Sequence, residues 1–159
     1  MADSGSSGLR ITITTLMALI FAIAPLPELV NQAKPPLLLL LVIYWSLSAP
    51  RIAGLMFAWM CGFAIDVVQG PLFGQHAIAY LLIAYLTHKL QLRMRLYPIY
   101  HQTFTVFWLL ALYEFIVFWI DGIIGPAVTD WMRWTPVVTG ALLWPLLVGI
   151  LDSWSRARR

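Results

Sequence analysis

Pro35-Pro36-Leu37-Leu-Leu-Leu-Leu41-Val-Ile-Tyr-Trp45-Ser-Leu-Ser-Ala49-Pro50 is the stretch whose reading decides the architecture. Prolines fence it at both ends, and no charged residue interrupts it. Pro35-Pro36 suits the first turn of a helix, where the missing N–H is not needed. Pro50 stops that helix, because it has no donor to continue the ladder. The segment from about Pro36 to Ala49 spans roughly 14 residues, or about 21 Å at about 1.5 Å per residue. That is shorter than a bilayer core of about 30 Å. It therefore reads as a half-spanning or strongly shielded element.

Five more apolar segments flank it. One precedes it, from about Ile11 to Leu29. Four follow, at about Ile52 to Val68, Leu72 to Leu90, Gln102 to Ile123 and Pro136 to Trp154. None alternates as a strand would, which argues against a barrel. Pro25 and Pro27 should kink or end the first helix, and Pro145 should bend the last. Met1–Gly8 is small, polar and Gly/Ser-rich, and is expected to be flexible. The first apolar run lacks a small-x-small cleavage site at its end, so it reads as a retained helix. The chain thus divides into a flexible N-terminus (1–10), one six-helix transmembrane domain (11–154) and a basic C-terminus (155–159).

Composition agrees. Of 159 residues, 61% are hydrophobic and 11% charged, and the mean hydropathy is +0.83. A soluble domain is nearer 25% charged, so a soluble enzyme is excluded. Low hydrophobicity would be needed for disorder. Cys61 alone makes no disulfide framework. A net charge of +3 would suggest nucleic acid in a soluble protein. Here the basic residues lie between apolar stretches and read as topology signals, so no nucleic-acid partner is expected.

With six spans both termini share a side. Arg10, Arg51, Lys89, Arg93, Arg95, Arg156, Arg158 and Arg159 fall there, and only Lys34 and Arg133 fall opposite. The positive-inside rule makes the richer side cytoplasmic. The basic loop at Lys89, Arg93 and Arg95 and the C-terminal cluster also suit contact with anionic lipids.

Ionisable groups inside spans are costly and face a protein interior or a wet cavity. Glu114, near the middle of the fifth segment, should be protonated or paired with a donor on a neighbouring helix. Asp66 and Gln69 are three apart and share a helical face. His76 begins the fourth helix, and its imidazole is placed to donate to Asp66 across the Gly70-Pro71 turn. Asp66, Gln69, His76 and Glu114 form the candidate polar cluster or pocket, and a structural clamp is favoured at Asp66–His76. Gly54-x-x-x-Ala58-x-x-x-Gly62 offers a small-residue face for close helix approach, either within the bundle or to a partner. On the partner reading, leucine at Ala58 or Gly62 weakens partner binding.

Catalytic readings fail. No serine sits in a Gly-x-Ser-Gly setting, and Asp66 and Asp121 lack a Gly-x-Gly-Asp context. His76, His88 and His101 are scattered, so no metal or other cofactor is expected.

Asp66-x-x-x-Gly70 runs into Leu72-Phe-Gly74-Gln75-His76-Ala-Ile-Ala-Tyr80, then Tyr85-Leu86, then Arg93-Met-Arg95-Leu-Tyr-Pro98-Ile-Tyr-His-Gln102. This combination resembles the rod shape-determining membrane protein MreD family of bacteria. The resemblance implies a non-enzymatic inner-membrane subunit of the rod-elongation complex. It implies binding to the membrane anchor of MreC, alongside MreB, RodA and the transpeptidase partner of RodA. It also implies an all-helical fold similar to the substrate-binding subunits of energy-coupling-factor transporters. That fold brings an alternative with it, a transport subunit holding a small solute or lipid in an outward-facing intramembrane pocket.

Overall fold

The computed structural model describes residues 3–25, 27, 33–69, 73–125 and 131–156. Six α-helices fill them: α1 Asp3–Ile23, α2 Leu37–Ser48, α3 Leu55–Gln69, α4 Gln75–Leu96, α5 Ile99–Ile124 and α6 Thr135–Arg156. A 3₁₀ turn, Trp131–Trp134, leads into α6. No strand occurs among the described residues.

The proline-fenced segment is the centre of the bundle. Every residue of α2 from Leu38 to Leu47 is buried. It packs against α1, α3, α4 and α6. A helix walled in on all sides is free to be apolar on all sides, which explains the uninterrupted leucines. At 12 residues it stays short of a bilayer's thickness, and its neighbours shield it. By length and hydropathy α5 and α6 are the two helices that qualify as membrane spans. α1, α2 and α3 are apolar but shorter, and α4 carries Lys89, Arg93 and Arg95 within its last turns.

Three boundaries depart from expectation. α1 begins at Asp3, inside the stretch expected to be flexible, and stops at Ile23 rather than near Leu29. Pro25 and Pro27 forbid continuation. The Lys34 ammonium then caps the end, donating to the carbonyls of Ala22 at 2.9 Å and Ala24 at 3.2 Å. α4 runs on to Leu96, so Lys89, Arg93 and Arg95 lie on a helix and not in a loop. Cations near a helix C-terminus complement its dipole. Arg95 reaches further, donating through Nε to the Leu47 carbonyl at 2.8 Å and through Nη2 to the Leu47 and Ser48 carbonyls. It thereby satisfies the orphaned end of the buried α2.

One end of the bundle gathers the start of α1, the ends of α2, α4 and α6, and the start of α5 around one cavity. The other end gathers the end of α1, the start of α2, the end of α3 and the start of α6 around a second. Arg10 and Arg95 line the first, and Lys34 lines the second. Arg158 and Arg159 and the Gly70-Pro71 turn lie outside the described residues.

Candidate functional site

The polar cluster separates into a clamp and a cavity. Asp66 is 0% exposed, in the last turn of α3. One carboxyl oxygen accepts the backbone N–H of Gly74 at 3.0 Å and of Ala77 at 3.1 Å. The other accepts the His76 N–H at 2.9 Å and lies 2.8 Å from His76 Nδ1. Helix α4 begins with orphaned amides, and Asp66 caps them from the preceding helix. Gly74 has φ +101°, a left-handed conformation that glycine adopts without penalty, and this turns its own N–H onto Asp66.

Close approach completes the clamp. A Cβ on Gly62 would stand 2.6 Å from both Ala77 Cα and the His76 carbonyl oxygen. Both are backbone atoms and neither yields. Ala58 is also fully buried. At these two positions the small residues serve packing inside the bundle, so leucine there would test folding and not partner contact. Gly54 precedes α3, and the nearest atom to a Cβ there would be the Pro50 carbonyl oxygen at 4.0 Å.

A second knot lies on α4 and α5. Gln75, buried at the first position of α4, donates to Asp121 Oδ1 at 2.7 Å. Arg133 from the 3₁₀ turn pairs with Asp121 Oδ2, and its guanidinium lies 5.6 Å from the Phe118 ring. Asp121 thus ties three elements together.

Gln69 and Glu114 belong elsewhere. They line a cavity of about 540 Å³ with Lys34, Tyr80 and Tyr113. Asp66 and His76 are not on its wall. Asp66 points inward while Gln69, three residues on, is exposed. Glu114 is half-buried and forms no hydrogen bond to a described residue. The donor expected on a neighbouring helix is not found among them. Burial pulls the Lys34 ammonium below its ordinary pKa.

The basic-end cavity, about 750 Å³, went unnoticed in the sequence. Tyr44 on α2 donates its hydroxyl to Asp152 Oδ1 on α6 at 2.6 Å. Trp45 Nε1 donates to Thr14 Oγ1 on α1 at 3.0 Å. These residues are 108 and 31 positions apart, too far for any local spacing to reveal. No group of three or more His, Cys, Asp or Glu side chains among the described residues is placed to hold a metal.

What these features define is an all-helical membrane protein. A shielded central helix and inward polar knots hold it together, and its outward surface is apolar. The family model for the rod shape-determining protein MreD matches residues 6–153, and the chain belongs to that family. The rod shape-determining protein MreD of Haemophilus influenzae is 24% identical over 130 residues, covering 82% of this chain and 80% of that one. No solved structure matches. The family carries a role in rod shape determination.

Proposed function

We propose that this protein is a non-enzymatic subunit of the bacterial rod-elongation complex, which binds the membrane anchor of MreC and so helps organise peptidoglycan synthesis. MreB, RodA and the transpeptidase partner of RodA are reached through that complex. The chain crosses the inner membrane several times with both termini cytoplasmic, since the positive-inside rule turns the basic end inward.

The observation that carries this reading is where polarity lies. Asp66, Gln75, Asp121 and Lys34 bond to other parts of the same chain. Met56, Met60, Trp119 and Leu142 are each 60–71% exposed, on three different helices. What such a bundle offers outward is apolar surface, which suits lipid and the anchor helix of a partner. The test is purification in mild detergent from cells that also make MreC. MreC should co-purify, and the two should associate again in proteoliposomes. Failure in both settings defeats the reading.

The cavity at Glu114 favours a second reading, a solute- or lipid-binding transport subunit with a fold like that of energy-coupling-factor substrate subunits. A pocket where Lys34, Gln69 and Glu114 converge beside apolar side chains suits a small polar ligand. Native mass spectrometry separates the readings. A stoichiometric small molecule that disappears on Glu114→Ala supports the second, and a bare chain mass counts against it.

A further inference from the structure

The cavity at the basic end has a wall of mixed character. Arg10, Arg95, Gln102 and Asp152 stand on it beside Leu9, Ile13, Trp144 and Val148. Trp144 is 0% exposed, and its buried Nε1–H has no acceptor in the described structure. An indole nitrogen can only donate, and a buried donor without an acceptor is costly to keep. The Trp144 nitrogen has no accessible surface and stays sealed from the cavity, so a ligand oxygen there meets the charged groups instead.

The charges say what kind of oxygen. Arg10 forms no ion pair with a described carboxylate. Arg95 brings a second guanidinium, anchored on the α2 carbonyls. The acid on the wall, Asp152, takes the Tyr44 hydroxyl. The two cations leave the wall net positive, at the end of the bundle where Lys89, Arg93 and Arg51 also lie. Leu9 and Ile13, 61% and 38% exposed, continue the wall as apolar surface on α1.

We infer that this cavity holds the headgroup phosphate of an anionic phospholipid. The phosphate oxygens accept charge-assisted bonds from Arg10, and the acyl chains leave across Leu9 and Ile13. A free phosphate would use the same donors but would gain nothing from the apolar rim. This is a single built site, distinct from diffuse attraction of lipid to surface lysines and arginines.

The test is titration of phosphatidylglycerol into the delipidated full chain in mild detergent, read by native mass spectrometry and by the thermal melt. Phosphatidylcholine and inorganic phosphate serve as the other probes. One phosphatidylglycerol per chain should bind and raise the melting temperature. Arg10→Gln should weaken binding about tenfold, as losing one bond to a charged acceptor does. Arg51→Gln removes the same charge from the same end without touching the cavity wall, and should leave affinity within about twofold of the parent. Equal weakening by Arg51→Gln would reduce the effect to diffuse charge and overturn the site. Equal binding of phosphatidylcholine, full competition by inorganic phosphate, or no bound lipid would overturn it too. Arg10→Gln against Arg51→Gln decides the outcome. MreC takes no part, so this result is independent of the partner assignment.

Discussion

The α3–α4 joint and the basic-end cavity use polar residues in opposite ways. Where α3 meets α4, Asp66 accepts three backbone amides and faces an imidazole, and no room remains for even a methyl group on Gly62. At the basic end, arginines, an aspartate and an indole surround about 750 Å³ of space. The α3–α4 joint is closed upon itself, as a structural joint must be. The basic-end cavity keeps donors in reserve. A polar residue within an apolar bundle is thus no sign of function until its partners are counted.

The sharpest way to break this contrast is Asp66→Ala. It orphans several buried donors at roughly 1–3 kcal/mol each, so a loss of about 3–5 kcal/mol is expected in denaturant unfolding from detergent micelles. A loss below ~1 kcal/mol would mean that the joint is not closed.

Gly62→Ala comes next, with an expected cost of about 1–3 kcal/mol from overpacking. Gly54→Ala, in open space, should stay within about 0.5 kcal/mol. Paired thermal melts check both, and equal effects would contradict the packing geometry.

At the basic end, Arg95→Ala strips charge-assisted bonds from the end of α2 and should cost about 1–2 kcal/mol. Arg93→Ala should cost nothing measurable, since Arg93 is exposed and donates no side-chain hydrogen bond to a described residue. Protease susceptibility of the turn around Pro50 would report the difference. Tyr44→Phe should cost about 1 kcal/mol for one hydrogen bond, with the fold unchanged by circular dichroism.

How much of this was legible depended on sequence distance. The Asp66–His76 contact was readable because ten residues and one turn separate the pair, and helical periodicity fixes which side each faces. The shielding of α2 was readable from its length and its prolines. Gln75 with Asp121 and Tyr44 with Asp152 were not, because 46 and 108 residues intervene and only the packed bundle brings them together. Placing Glu114 with Asp66 went astray for the same reason. Depth in a segment says that a residue is buried, but not which cavity it faces. The Lys89–Arg95 stretch was read as a loop because charge usually marks one, yet α4 carries these residues at a helix end that favours cations.

The central claim is that this chain acts by presenting an apolar outer surface to a partner within the membrane. A photo-crosslinking scan in cells tests it most directly, placing the probe at outward positions Met60, Trp119 and Leu142 and at inward positions Ile83 and Leu110. The account predicts adducts with MreC from outward positions on one contiguous face and none from the inward pair. Adducts from the inward positions, or none from any outward one, would contradict it.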